Sequence, residues 1–361
     1  MFTLGEQNEM KIISIVGARP NFIKMMPIVE VFNKSKHEHI LVHTGQHYDI
    51  NMSDVFFKEM DVKSADYNLR VGSALHGEQT GEILKRTEEV ILKEKPDIVV
   101  VPGDTNSTLG GALAAVKLHV KVAHLEAGLR SFNRRMPEEI NRILTDHCSD
   151  FLFCPTQIAI ENLKKEGIKD GVYYVGDTMF EIAHLVEDKV DAVPKRTDIP
   201  NNYILATIHR AENTTSERLP TIMQNLGALK HQVVLPLHPR TKKKLEELGK
   251  LDIFSEKISF IEPIGFFEFT KLLKEAKAVI TDSGGVQKEA YWHKIPCVTV
   301  REQTEWLETI EAGGNVLAEP SEIKEKVELM TTKKIKFDDK LYGFTDTSKR
   351  ILDIFESEIT K

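Results

Sequence analysis

Short β-branched apolar runs alternate along this chain with longer segments whose apolar residues return at helical spacing. Ile12–Gly17 reads as a buried strand, and Arg19-Pro20-Asn21 opens a helix carrying Ile23, Met26, Ile28, Val29 and Phe32. Further strands are predicted over Ile40–Thr44, Asp97–Val101, Val120–Leu125, Phe151–Cys154 and Val172–Val175, with helices between them. Repeated strand–helix units with short connections predict a parallel, doubly wound sheet. After Asp191 the rhythm breaks at AVPKRTDIPNN, rich in proline and charge, which reads as a domain linker. It then restarts, with strands predicted over Tyr203–Ile208, Val233–Leu237, Ile258–Ile261, Ala278–Thr281, Cys297–Val300 and Asn315–Leu317. The fold class is therefore α/β, with two Rossmann-like, doubly wound domains, 11–192 and 201–347, facing across a cleft. A last helix, about 348–361, is expected to pack back on the first domain.

Composition narrows the function classes. A chain of 361 residues is long enough for two separate cores. Its net charge of -7 and pI near 6.0 argue against a nucleic-acid partner, which requires a basic face. Cys148, Cys154 and Cys297 are scattered, without a CxxC pair, as expected of a reduced, cytoplasmic chain with no structural zinc. No apolar run reaches the roughly 18 residues of a membrane span. The leader MFTLGEQNEM has no apolar core of a signal peptide and is expected to be a disordered extension. The histidines show no HExxH spacing, so neither a metal nor another cofactor is expected.

Candidate chemistry gathers where strands end, because ligands of open parallel sheets bind outside the carboxyl ends. From Val99 to Arg142 three acids fall at such places: Asp104 in Pro-Gly-Asp-Thr-Asn, Glu126 in Glu-Ala-Gly-Leu-Arg, and Glu138 after Pro137 at a helix start. Singly, Asp104 also fits a helix N-cap, and Glu138 an acid favoured by the helix dipole. Glu126, after an apolar run, is expected to be partly buried with a raised pKa. Together they suggest a proton-transfer centre. Gly17-Ala18-Arg19 and Ser283-Gly284-Gly285 each link a strand to a helix N-terminus, a place suited to phosphate, with Arg19 adding a bidentate fork. Glu289, inside the second of these helices, is placed to accept ribose hydroxyls. His209 and His238 end two strands of the second half, where an imidazole can be either a structural hydrogen-bonder or an acid.

The motifs GARPNFIK, HTGQH, GDTNST, HLEAGLRSFNRRMPEEINR, ATIHRAEN, TDSGGVQKEA and REQTEW, in order from Lys11 to about Ile354, resemble the non-hydrolysing UDP-N-acetylglucosamine 2-epimerases. The resemblance implies the GT-B fold, a homodimer, and epimerisation at C2 of a UDP-2-acetamido sugar through elimination and re-addition of UDP. It implies Asp104, Glu126 and Glu138 as acid–base groups and His209 near the diphosphate. Arg19, Lys24, Arg142, His238, Ser283, Gly284 and Gly285 would hold phosphates or sugar, Glu289 the ribose, and Phe269 the uracil. Gly-Ala-Arg-Pro-Asn, His-Thr-Gly-Gln-His and Gln-Thr-Glu-Trp depart from the commonest bacterial pattern. They look more like the branch acting on UDP-2,3-diacetamido-2,3-dideoxyglucuronate, and UDP-N-acetylglucosamine is the alternative substrate. A glycosyltransferase or a non-catalytic sugar-nucleotide binder would share the UDP-binding half. Gln46 and His238 match part of an activating second-nucleotide site, although Asp49 stands where glutamine is usual.

Overall fold

The computed structural model describes residues 9–46, 65–338 and 341–359, apart from the side chains of residues 19 and 20. The leader and Asp49 therefore fall wholly or almost wholly outside the described residues. The apolar runs form strands because both faces of each are covered: all five residues of Ile98–Pro102 are buried, as parallel sheets require. Two sheets result. The first joins β1 (Lys11–Val16), β2 (Glu38–His43), β3 (Tyr67–Asn68), β4 (Ile98–Pro102), β5 (Lys121–Leu125), β6 (Phe151–Cys154) and β7 (Val172–Tyr174) in the order β3-β2-β1-β4-β5-β6-β7. The second joins β8 (Ile204–Thr207), β9 (Val233–Pro236), β10 (Ile258–Ile261), β11 (Ala278–Thr281), β12 (Cys297–Thr299) and β13 (Asn315–Leu317) in the order β10-β9-β8-β11-β12-β13. Every pairing is parallel, with Ile13 of β1 registered against both Ile40 and Val99. This is the secondary-structure plan of the GT-B class.

The chain divides into two compact units, one running to Leu185 and resuming at Tyr342, the other spanning Val186–Leu341. In the first unit, the helix Thr347–Glu358 lies on the helix Arg19–Lys34, with Phe355 set among Phe32, Phe151 and Phe153 at ring separations of 5.5–6.0 Å. The break comes earlier than residue 192. The helix Glu187–Asp191 packs with the second unit, where Lys274 Nζ lies 2.8 Å from Asp191 Oδ1. The proline-rich segment after it is no loose tether either. Arg196 bonds Glu268 at 2.8 Å, and Ile199 and Tyr203 enter the second core. β3 had no apolar run to announce it, being a two-residue edge strand.

In each sheet the strand order reverses direction at one point, between β1 and β4 and between β8 and β11. The loops leaving these strands open a crevice at the carboxyl edge. The first switch presents Gly17, Gly103 and Asp104; the second presents His209, Asp282 and Ser283. Among the described residues no helix is long and apolar enough to cross a membrane.

Candidate functional site

The first unit carries a cluster of carboxylates at the carboxyl edge of its sheet. A Cβ at Gly17 would meet Ser107 Oγ at 1.8 Å, so only glycine lets β1 pass the helix Asn106–Lys117 this closely. Gly103 has φ +69°, and its Cα faces Lys24 and Glu126: a Cβ there would stand 3.6 Å from Lys24 Nζ and from Glu126 Oε2. Those two groups form an ion pair at 2.5 Å, with the Glu126 residue 8% exposed. Glu126 is thus buried as half of an ion pair. Its backbone has φ +63°, a left-handed conformation that a glutamate adopts only when its surroundings impose it. Asn21 ties the helix Arg19–Lys34, which also carries Lys24, to the end of β4 through a 3.2 Å bond to the carbonyl of Pro102.

Asp104 is gripped from the other side. Arg142 Nη2 lies 2.5 Å from Asp104 Oδ2, and Asn141 Nδ2 donates to the Asp104 carbonyl at 2.9 Å. Arg142 reaches with Nη1 to Glu139 Oε2 at 2.8 Å. Glu139 also accepts the N–H groups of Ser131 and Phe132, each at 2.8 Å. Burial alone would push the Glu139 carboxyl up, but these N–H groups and the Arg142 guanidinium together hold it below the ordinary carboxylate range. Glu138, one residue earlier, is exposed on the first turn of the helix Pro137–Cys148. The N-cap of the helix after Asp104 is Thr105, which shares a capping box with Thr108, so Asp104 does not serve as that cap. Beneath the turn, His124 Nε2 faces the Gly103 carbonyl at 2.7 Å and Nδ1 faces Asp146 Oδ1 at 2.6 Å. Asp146 is wholly enclosed. Burial pushes its carboxyl up, but His124 and Arg130 against it bring the balance below the ordinary value.

The second unit has a cluster of its own at the carboxyl edge of its sheet. Asp282, fully buried at the end of β11, accepts the N–H groups of His209 and Arg210 and the carboxamide of Asn213, at 2.9–3.2 Å. Its Oδ1 lies 3.2 Å from His209 Nδ1, so one carboxylate orients both the strand end and the imidazole. His209 stacks on His238 with ring centres 5.3 Å apart. Burial pulls the His209 imidazole below its usual value, the Asp282 carboxylate opposing it, with Arg210 and Arg240 adding to the fall. His238 shifts the same way, by burial first and then through His209 and Arg240. His238 is exposed and caps the helix Pro239–Glu247 by accepting the Arg240 N–H at 3.1 Å. Ser283 precedes the helix Gly284–Trp292 without capping it through its side chain, and a Cβ at Gly284 would meet Glu305 Oε1 at 2.4 Å, so a carboxylate stands beside this helix start. Gly285 is exposed there, and a Cβ on it would stand 3.8 Å from Glu289 Oε1, which puts that carboxylate beside the helix start.

The residues singled out from sequence thus fall into two groups. Lys24, Asp104, Glu126, Glu138 and Arg142 share the carboxyl edge of the first sheet, where Arg19 begins a helix but has its side chain outside the described residues. His209, His238, Ser283, Gly284, Gly285 and Glu289 share that of the second. Phe269 is half-buried on the helix Phe266–Glu275 and packs against the second unit's core. Gln46 is buried, its Oε1 accepting Ser107 N–H at 3.0 Å and Ser107 Oγ at 2.6 Å. Asn21, His124, Asp146 and Asp282 escaped the sequence reading. For Asp282 a signal existed, since it directly follows the strand Ala278–Thr281. Among the described residues no three His, Cys, Asp or Glu side chains gather as a metal site.

Comparison with known proteins gives the family and the fold. The profile of the UDP-N-acetylglucosamine 2-epimerase family matches residues 30–356. A UDP-N-acetylglucosamine 2-epimerase homolog of Methanococcus maripaludis is 49% identical over 88% of this chain and 90% of its own. The UDP-2,3-diacetamido-2,3-dideoxy-D-glucuronate 2-epimerase of Pseudomonas aeruginosa is 48% identical over 95% and 99%. The crystal structure of Methanocaldococcus jannaschii UDP-GlcNAc 2-epimerase, in complex with UDP-GlcNAc and UDP, superposes with a TM-score of 0.89 at 43% identity, covering 96% of this chain and 100% of that one. The chain belongs to the UDP-N-acetylglucosamine 2-epimerase family and is a UDP-sugar 2-epimerase, an isomerase.

Proposed function

We propose that the protein inverts C2 of a UDP-2-acetamido sugar, UDP-2,3-diacetamido-2,3-dideoxyglucuronate, giving its mannuronate epimer. The observation that carries the reaction type is the pair of cation-tethered carboxylates, Glu126 on Lys24 and Asp104 on Arg142, at the neighbouring ends of β5 and β4. A carboxylate takes the C2 proton while the C1–O bond breaks, its electron pair leaving with the β-phosphate oxygen of UDP. The product is a 2-acetamidoglucal. That oxygen then returns to C1 as a proton is delivered to the opposite face of C2. Two carboxyl groups and the exposed Glu138 give the acids that two faces require, and Lys24 and Arg142 fix their orientation. UDP must stay bound throughout. His209, aligned by Asp282, and the helix start at Ser283-Gly284-Gly285 hold its diphosphate, Glu289 its ribose and Phe269 its uracil.

The uronate substrate is supported by the Pseudomonas aeruginosa relative and by the variant motifs GARPN, HTGQH and QTEW. UDP-N-acetylglucosamine is the second reading, favoured by the Methanocaldococcus jannaschii enzyme. The same reading has the enzyme act in the cytoplasm as a homodimer without a metal. The test is incubation of the protein with each sugar nucleotide in D2O, without any acceptor. Deuterium at C2 and appearance of the epimer identify the substrate. Transfer to an acceptor, release of free sugar, or binding without exchange would each replace this reading.

A further inference from the structure

The turn Ser131-Phe132-Asn133-Arg134-Arg135-Met136, just before Glu138, carries groups that folding does not require. Phe132 is 64% exposed and has φ +58°, a left-handed conformation that bulky residues rarely adopt. The conformation is imposed from below. Glu139, 1% exposed, accepts the N–H groups of both Ser131 and Phe132 and the Ser131 hydroxyl. Through Arg142 the same carboxylate is linked to Asp104. The bonds that align a reacting carboxylate therefore also lock this turn. Farther along, Asn133 Oδ1 accepts the Arg135 N–H at 3.1 Å, and the Met136 N–H donates to the Asn133 carbonyl at 3.0 Å. Arg134 and Arg135 ride on this rigid turn with exposed side chains. An exposed ring in a strained backbone beside two solvent-facing guanidiniums adds nothing to the core, and strain of this kind collects at ligand clamps.

We propose that this turn reads the sugar: Phe132 packs on the pyranose, and Arg134 and Arg135 receive an acidic ring substituent, the carboxylate of a uronic acid. A planar fork suits a carboxylate, whereas a neutral hydroxymethyl group offers the two cations no opposite charge. The diphosphate has its own donors on the second unit. This assignment rests on the epimerase reading and names the part of the chain that selects among its substrates.

The experiment compares kcat/KM for UDP-2,3-diacetamido-2,3-dideoxyglucuronate and UDP-N-acetylglucosamine in the wild type, R134Q/R135Q and Phe132→Gly. Calorimetry with UDP alone runs beside it. R134Q/R135Q should lower kcat/KM for the uronate about 10- to 100-fold, mainly through KM, as expected for lost charge-assisted bonds. UDP affinity and turnover of the neutral sugar should stay within about two-fold. Phe132→Gly, freed of strain, should melt a few degrees higher and yet raise KM. An equal loss with both sugars, a weakened affinity for UDP, or an unchanged KM for the uronate overturns the assignment. A wild type that turns over only UDP-N-acetylglucosamine overturns it while leaving the epimerase reading intact. A wild type that exchanges C2 of neither sugar overturns both.

Discussion

Glu126 combines burial, a left-handed backbone and an ammonium partner in one residue. Their coincidence at a strand end is the ground on which Glu126 is proposed to move a proton. Glu126→Gln should cut kcat by about 10²–10⁴ while leaving UDP affinity near that of the wild type, read as loss of C2–deuterium exchange with intact calorimetric binding. Unimpaired exchange would remove Glu126 from the reaction. Asp282 is proposed to act one step back, through His209. In Asp282→Asn the acidic partner that opposes the burial of His209 is gone, so the imidazole should titrate at still lower pH. NMR titration of the free enzyme reads that shift, and an unmoved or raised His209 would sink the idea that Asp282 governs it. The buried carboxylate also serves three donors, so the variant should lose about 1–3 kcal/mol of stability. At this scale the sequence was partly legible. Asp104 and Glu126 stand out because they follow apolar runs. Glu138 and Glu139 are adjacent and chemically identical on paper, and only the helix phase decides which faces water and which is enclosed by Ser131, Phe132 and Arg142.

Among elements, the strands were legible to within a residue or two because parallel strands covered on both faces must be apolar throughout. The switch points followed from strand order, which periodicity does not encode. β3 was missed since its two residues carry no periodic signal, and the segment after Asp191 was misread because proline and charge look alike in a tether and in a packed loop. The C-terminal helix gives a testable case. Glu181 accepts both the N–H and the hydroxyl of Ser348 at the start of Thr347–Glu358, at 2.8 and 2.6 Å. Burial raises its carboxyl above the ordinary value, Ser348 opposes this, and Asp346 and Glu30 add to the rise. A raised acid binds its proton more tightly folded than unfolded, so its contribution is full below about pH 4.3 and is lost as pH climbs through the folded value. Glu181→Gln does not titrate. Its thermal midpoint relative to wild type should therefore move in the variant's favour between about pH 4 and 8. A gap that stays constant across that range would show that Glu181 is not the titrating group.

At the scale of the whole chain, two separately cored units should respond separately to solution conditions. The first holds Asp146 and Glu139, whose folded carboxyls lie below their unfolded values. Their contribution is complete above about pH 4 and is lost as pH falls through the folded values, so acid should weaken the first unit. The nucleotide should act on the other unit, since Asp282, His209 and the helix start at Ser283 all belong to it. A ligand at about 100 times its Kd adds about 2.7 kcal/mol to the state that binds it. Hydrogen exchange with UDP alone should accordingly slow at 207–213 and 281–287 and leave 103–106 and 126–139 near their free rates. The full substrate should extend protection to those first-unit segments, because the sugar is what the carboxylates and the Phe132 turn are proposed to meet. Protection by UDP alone at the Asp104 turn would show that the first unit binds nucleotide rather than sugar. The division of labour between phosphate-holding and proton-moving halves would then have to be redrawn.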